Sequence, residues 1–120
     1  MRALSLIAGL LFSAFVTAQA TDISQQQFSD LPNKVVLDVR TPEEFAEGHV
    51  PGAVNMPYDQ LASFKQTLDG FKDNNLVVYC RSGRRAAVAV QWLEEQGFEQ
   101  LYHLDGDMLG WQEAKLPIEK

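Results

Sequence analysis

The sequence predicts an α/β domain whose parallel sheet is covered by helices on both faces. Short apolar, β-branched runs alternate along the chain with segments that carry helix-capping signals. The runs at residues 35–39 and 76–79 are apolar almost throughout, as strands buried on both faces are. Residues 21–120 contain no repeat, low-complexity segment or linker, and this length suits one domain.

A short helix and a core strand open the predicted domain. Ser24 with Gln27 three positions later forms a capping-box pattern, which predicts a helix over residues 24–28. The run at residues 35–39 then predicts a buried strand.

A second capped helix follows this strand. Thr41 suits the N-cap, Pro42 suits the first helical position, and Glu44 completes a capping box. Gly48 ends this helix, and the Pro and Gly residues of segment 49–53 predict a turn.

The remaining segments continue the alternation of strand and helix. They predict a short strand at 54–56, a helix capped by Asp59 and running to about Leu68, a strand at 76–79, a helix at 84–96 closed by Gly97, a strand at 101–104 and a last helix at 107–114.

Residues 1–20 have the pattern of a secretory signal peptide. Arg2 is the positive start, residues 3–16 are apolar, and residues 18–20 fit the small-x-small cleavage pattern. The apolar run is shorter than the ~20 residues of a spanning helix, although an uncleaved anchor is the alternative. We expect a signal peptide at 1–20, a domain at 21–120, export to the periplasm or beyond, and no stable membrane association after cleavage.

The charge of the exported chain argues against binding of polyanions. Removal of Arg2 with the signal leaves nine Lys and Arg residues against sixteen Asp and Glu residues, a net charge of −7. Such a chain is a poor general binder of nucleic acid. Yet Arg81, Arg84 and Arg85 cluster beside Cys80, which predicts a local site for small anions.

Cys80 is the only cysteine, and it joins an apolar strand to a polar loop and a helix start. Loop amides and a helix N-terminus both favour negative charge, so we expect this thiol to ionise readily and to act as a nucleophile. A single cysteine cannot pair within its own chain, even in an oxidising compartment. The alternative is an inert, buried thiol.

Three blocks of the chain resemble the rhodanese family of sulfurtransferases. The first block comprises Asp38-Val39-Arg40, Glu44-Phe45, segment 48–53 and Asn55-Met56-Pro57. The second is the loop Cys80-Arg81-Ser82-Gly83-Arg84-Arg85, and the third comprises Gly106, Met108 and Trp111. The resemblance implies a single domain with a five-stranded parallel sheet flanked by helices. It also implies a ping-pong reaction without a metal or organic cofactor. Cys80 takes the outer sulfur of thiosulfate as a persulfide and passes it to a thiophilic acceptor such as cyanide or a thiol.

The loop residues after Cys80 are the expected binding site for the anionic sulfur donor. Arg81 and Arg84 are the candidates for contact with the anion, and Ser82 and Gly83 complete the cradle. The alternative for these arginines is a solvated basic patch.

The remaining candidates are expected to support the site rather than to react. Arg85 is a further candidate for binding the donor, and the alternative is that it braces the loop by pairing with Asp38 or Glu44. We expect Asp38 and Arg40 to hold neighbouring loops at a strand end, and we expect His49 to be a hydrogen-bonded structural residue of the turn.

The third block contains one departure from the family pattern. Asp107 stands where a second glycine usually follows Gly106, and we expect it either to cap the last helix or to place negative charge at the pocket mouth. Trp111 either lines that mouth or caps the core. His103 lies on a predicted strand away from the motifs and is expected to be structural.

Loop length separates sulfur transfer from phosphatase chemistry. Cysteine phosphatases place an arginine six positions after the cysteine, whereas this chain has Ala86 there and Arg85 one position earlier. The shorter loop suits one added sulfur atom. The alternative from another class is a non-catalytic module that binds a partner or senses oxidants. The sequence leaves the physiological donor and acceptor and the oligomeric state open.

Overall fold

The computed structural model describes residues 20–120, so the predicted signal peptide, apart from Ala20, lies outside the described residues. The strands are β1 (Thr21–Ile23), β2 (Lys34–Asp38), β3 (Val54–Asn55), β4 (Asn75–Tyr79) and β5 (Leu101–Leu104). The helices are α1 (Gln25–Asp30), α2 (Pro42–Glu47), α3 (Lys65–Asp69), α4 (Arg84–Glu95) and α5 (Asp107–Glu113), with a 3-10 helix at Leu61–Phe64. Within this part of the chain, no helix combines the length and apolar character needed to cross a bilayer.

The five strands form one parallel sheet in the order β1-β5-β4-β2-β3. Strands β2 and β4 are neighbours, and Asp38 pairs with Tyr79 at their carboxyl ends. The chain continues from β2 toward one edge of the sheet and from β4 toward the other edge. The crevice between two such strand ends is where α/β sheets form their binding sites. The predicted fold is confirmed, and Cys80 and Arg40 follow neighbouring strand ends.

Alternating side chains of β4 divide the core into two layers, because successive strand residues point to opposite faces. Leu76, Val78 and Cys80 belong to one layer, whereas Val77 and Tyr79 belong to the other. The first layer is completed by residues of the 3-10 helix, α3 and α4, namely Leu61, Leu68, Ala86, Ala89 and Leu93. The second is completed by residues of α1 and α5, namely Phe28, Met108 and Trp111. Helices therefore cover both faces, as predicted.

Both predicted capping boxes are present. The Ser24 hydroxyl accepts from the Gln27 amide while the Gln27 side chain accepts from the Ser24 amide. Thr41 and Glu44 make the same reciprocal pair at the start of α2. Local sequence thus determines where these two short helices begin.

The predicted Asp59 cap is wrong. The chain makes a turn in which the Gln60 amide donates to the Pro57 carbonyl, and the following helix begins at Leu61 as a 3-10 segment. Its N-cap position is Gln60, which makes no capping hydrogen bond with its side chain. The Tyr58 amide donates to the Val39 carbonyl, so the chain is still tied to the sheet where Asp59 would need to start a helix.

Strand β1 was not predicted from the residues. It is three residues long, Thr-Asp-Ile, and only Ile23 is buried. It lies at the edge of the sheet and pairs with β5 alone. A polar edge strand of this length carries no apolar run for a sequence pattern to detect.

A buried hydrogen-bond network joins the carboxyl ends of β2 and β4. The Asp38 carboxylate accepts from the Arg40 guanidinium at 2.7 Å and from the Tyr79 hydroxyl at 2.5 Å. The Tyr79 hydroxyl in turn accepts from the Val50 amide at 3.0 Å. Burial raises the pKa of Tyr79 above its ordinary value, and the Asp38 charge raises it further, so the hydroxyl remains a donor.

Tyr79→Phe should therefore destabilise the domain. The change removes one partner each from the Asp38 carboxylate and the Val50 amide, both of which are buried. We expect a loss of about 2–3 kcal/mol in the free energy of unfolding, measured by urea denaturation. The matched control is Tyr102→Phe, because the Tyr102 hydroxyl has no hydrogen-bond partner within residues 20–120. Equal losses in the two variants would contradict the role assigned to Tyr79.

Candidate active site

Cys80 lies at the floor of a pocket at the carboxyl end of β4. Only 1% of the residue is exposed, and its sulfur faces a cavity of about 430 Å³. The other lining residues are Tyr58, Ser82, Arg84, Arg85 and Val88. The nucleophile candidate is therefore nearly buried and still borders a cavity.

The thiol accepts a hydrogen bond from the Gly83 amide at 3.0 Å. Gly83 is the N-cap of α4 and has a φ of 113°, a conformation that residues with a side chain rarely adopt. The first amides of a helix have no intrahelical acceptor, so the positive end of α4 lies beside the sulfur. We expected several amides around the thiol, and within residues 20–120 the structure has one bonded to Sγ.

Helix α5 holds the loop backbone from the opposite side. The Cys80 amide donates to Asp107 Oδ1 at 2.9 Å, and the Met108 amide donates to the Cys80 carbonyl at 2.9 Å. The Leu109 amide donates to the Arg81 carbonyl at 3.1 Å. Three hydrogen bonds therefore fix the main chain around the nucleophile.

The three loop arginines occupy different positions. Arg84 is exposed and lines the pocket. Arg81 is also exposed, but it does not line the pocket. Of Arg81 and Arg84, both predicted to contact an anion, only Arg84 lines the Cys80 pocket.

Arg85 braces the loop against α2. Its guanidinium makes two hydrogen bonds with the Glu44 carboxylate, at 2.7 and 3.0 Å. The hydrogen bond from Arg85 lowers the pKa of Glu44 to about 2, and the Thr41 backbone and side chain contribute. Of the two predicted partners, the structure thus selects Glu44, because Asp38 is already paired with Arg40 and Tyr79.

Asp38, Arg40 and His49 have structural positions. The Arg40 guanidinium also donates to the Gly48 carbonyl at 2.8 Å, which ties the end of α2 to β2. His49 stacks on Phe45 with ring centroids 3.7 Å apart, and its Nδ1 lies 2.9 Å from the Phe45 carbonyl. None of the three lines the Cys80 pocket.

Trp111 caps the core rather than the mouth of the Cys80 pocket. Its indole donates to the Pro117 carbonyl at 2.7 Å and meets Phe28 edge to face. It lines a separate cavity that also includes Pro51 and Leu116. The alternative in which Trp111 lines the donor pocket is therefore wrong.

Both expectations for Asp107 are wrong, whereas His103 lies on a strand and has a structural position as expected, but it is in contact with the site. Asp107 neither caps α5, whose N-cap is Gly106, nor lies at the pocket mouth, since it is only 2% exposed. Its carboxylate instead accepts from the Cys80 amide and lies 3.0 Å from His103 Nε2. His103 Nδ1 lies 3.0 Å from Asp22 Oδ1. The prediction that His103 lies away from the motifs is therefore wrong, since it contacts Asp107 of the third block.

Sequence reasoning missed Tyr79, His103 and Asp107 as members of the site scaffold. A weak signal existed for Tyr79, because a hydroxyl in an otherwise apolar buried strand needs a hydrogen-bond partner. His103 and Asp107 are four residues apart and belong to different elements. Their contact depends on the turn between β5 and α5, where Gly106 and Asp107 both have positive φ.

Glu44→Gln should weaken the brace in a pH-dependent way. The ionised Glu44 stabilises the fold fully above pH 4.5, and this contribution is lost as the pH falls through about 2. At pH 7 we expect a loss of roughly 1 kcal/mol, because the pair is about one-quarter exposed.

Urea denaturation at pH 7 and at pH 2–3 measures this difference. Glu43→Gln on the same helix is the control, since Glu43 is exposed and makes no ion pair within the described residues. A difference between Glu44→Gln and the unmodified protein that is as large near pH 2 as at pH 7 would argue against the brace.

Comparison with known proteins places this site in a family. The family model described as Rhodanese-like domain matches residues 21–114. The sulfurtransferase of Allochromatium vinosum is 33% identical over 93 residues, which cover 78% of this chain and 85% of the relative. The thiosulfate sulfurtransferase GlpE of Shewanella oneidensis is 38% identical over 88 residues, which cover 73% of this chain and 85% of the relative.

The fold agrees with the sequence match. A crystal structure of a rhodanese-related protein from Thermoplasma volcanium has a TM-score of 0.73 at 27% identity, over 82% of this chain and 97% of that one. The named relatives support a rhodanese-type sulfurtransferase as the enzyme class. Since the matched region runs from β1 to the end of α5 and contains the Cys80 loop, the chain belongs to the rhodanese-like domain family.

Proposed function

We propose that this protein is an exported thiosulfate sulfurtransferase that carries sulfur as a persulfide on Cys80. The observation that carries the proposal is the position of the sulfur, at the floor of a pocket with Arg84 on its wall and the Gly83 amide 3.0 Å away. The name of the Shewanella relative supports thiosulfate as the donor. The export part of the proposal rests on the sequence of residues 1–20.

In the first half-reaction the Cys80 thiolate attacks the outer sulfur of thiosulfate. A new S–S bond forms to Cys80, the S–S bond of thiosulfate breaks, and sulfite leaves with the bonding electron pair. The terminal sulfur of the resulting persulfide is an anion at neutral pH. The Gly83 amide and the positive end of α4 lie where they stabilise that charge.

In the second half-reaction a thiophilic acceptor takes the terminal sulfur. With cyanide, its carbon forms a bond to that sulfur, the persulfide S–S bond breaks, and the Cys80 thiolate is regenerated as thiocyanate leaves. Division of one transfer into two displacements is covalent catalysis, and both displacements occur at the same sulfur. The cavity of about 430 Å³ accommodates small donors and acceptors in turn.

The loop residues serve this chemistry by position. Arg84 offers a positive charge to the incoming dianion, while Arg85 is committed to Glu44 and holds the start of α4 in place. The Cys80 main chain is fixed at its amide by Asp107 and at its carbonyl by Met108. The nucleophile therefore needs little reorganisation between the two half-reactions.

Intact-mass measurement tests the persulfide directly. Reduced protein, freed of reductant and incubated with thiosulfate, should gain the mass of one sulfur atom, and addition of cyanide should remove it. Cys80→Ser is the control and should gain nothing while folding normally. If the unmodified protein keeps a titratable thiol and gains no sulfur, oxidant sensing or partner binding becomes the better proposal.

Arg84 and Arg81 form a matched pair for testing donor recognition. Arg84→Gln should raise the KM for thiosulfate roughly tenfold, equivalent to one charge-assisted hydrogen bond. Arg81→Gln should change it little, because Arg81 does not line the pocket. Steady-state thiocyanate formation measures both variants. A larger effect from Arg81 would mean that the donor approaches from another side of the loop.

A further inference from the structure

His103 lies between two carboxylates from different elements. Its Nε2 is 3.0 Å from both oxygens of Asp107 on α5, and its Nδ1 is 3.0 Å from Asp22 Oδ1 on β1. A neutral imidazole has one N–H and can donate from only one ring nitrogen. Both contacts are hydrogen bonds only when the ring carries two protons, so this geometry selects the imidazolium.

Asp107 connects this imidazolium to the nucleophile. Its Oδ1 accepts from the Cys80 amide at 2.9 Å, and a Cβ placed on Gly83 would come within 3.2 Å of its Oδ2. Asp107 is therefore packed against Gly83, the residue whose amide donates to Cys80 Sγ. A buried carboxylate so close to a thiolate or persulfide opposes its negative charge, since water screens little there.

We propose that His103 is a positioning residue whose imidazolium neutralises Asp107, so that Asp107 anchors the loop without opposing the anion on the Cys80 sulfur. The inference rests on the Cys80 chemistry proposed above. It gives a role to the aspartate that stands where the resemblance has a glycine. Asp107 alone would stabilise the loop and disfavour the reactive anion, and the pair avoids that conflict.

The surroundings of His103 are suited to keep it charged. Asp22 on β1 and Glu94 on α4 line the cavity of about 300 Å³ that borders the ring, and Asp107 faces the ring from α5. The hydrogen bond with Asp107 raises the pKa of His103 to about 9, despite partial burial. Arg84 and Arg85, the cations that line the Cys80 pocket, do not line this cavity. His103 thus acts on the sulfur through Asp107 and does not touch the donor.

The rate of Cys80 alkylation by iodoacetamide as a function of pH tests the inference, since only the thiolate reacts. His103→Gln keeps a hydrogen-bond donor and removes the positive charge. We expect the midpoint of the rate profile to lie about one pH unit higher, so that alkylation is roughly tenfold slower at pH values below the midpoint of the unmodified protein. Asp107→Asn removes the negative charge and should react at least as fast as the unmodified protein.

The double variant His103→Gln/Asp107→Asn separates charge compensation from loop support. If His103 acts by neutralising Asp107, the double variant should regain the rate of the unmodified protein. If the pair only supports the loop, the double variant should be as slow as His103→Gln or slower, which would overturn the proposal. An unchanged rate in His103→Gln would also overturn it.

A second measurement uses the protein without substitutions, so it does not depend on the stability of any variant. Linkage is reciprocal, so loss of the sulfur anion must weaken proton binding by His103. Alkylation of Cys80 should therefore lower the midpoint of the His103 ring titration followed by NMR. An unshifted midpoint would contradict the coupling. Both readouts are independent of thiosulfate, so failure of sulfur transfer and failure of this inference are distinguishable.

Discussion

The buried carboxylate of Asp38 is the contact on which the rest of the site depends. It accepts from Arg40 and Tyr79, and Asn55 donates to the Asp38 and Arg40 carbonyls. Burial of a charge is costly unless it is fully paired, and no buried side-chain nitrogen or oxygen within residues 20–120 lacks a partner. Removal of this carboxylate would leave the buried Arg40 guanidinium and the Tyr79 hydroxyl without their common partner, and Cys80 follows directly after Tyr79.

Charge around the nucleophile is arranged in two ion pairs on separate elements. Arg85 pairs with Glu44 on α2, and His103 pairs with Asp107 on α5. Each pair holds part of the loop while adding little net charge of its own. The sulfur therefore depends on main-chain dipoles for stabilisation, and Arg84 is the cation on the pocket wall that is left to meet a substrate. An overall acidic chain can thus keep a small site that favours anions.

The parts of this structure that sequence predicts are those encoded by local spacing. Both capping boxes, the strand that precedes Cys80 and the helix after Gly83 follow from residues within four positions of each other. Arg85 was predicted to have one of two partners, because strand order was needed to choose Glu44. The contacts of His103 required the register between β1 and β5 and a left-handed turn, which no local pattern specifies. Asp59 is the converse case. It is a good capping residue, but the neighbouring hydrogen bond from the Tyr58 amide to the Val39 carbonyl prevents a helix from starting there.

The direction of the loop carbonyls has a consequence for the sulfur. The amides of Met108 and Leu109 donate to the carbonyl oxygens of Cys80 and Arg81, so both carbonyls point toward α5. In a planar trans peptide the N–H points opposite to the C=O, so the same two peptide units turn the N–H groups of Arg81 and Ser82 away from α5. The carbonyl oxygens of these units, which would repel an anion, therefore lie on the side of the loop that faces α5. The start of one helix thereby sets the polarity of a neighbouring turn that it does not belong to.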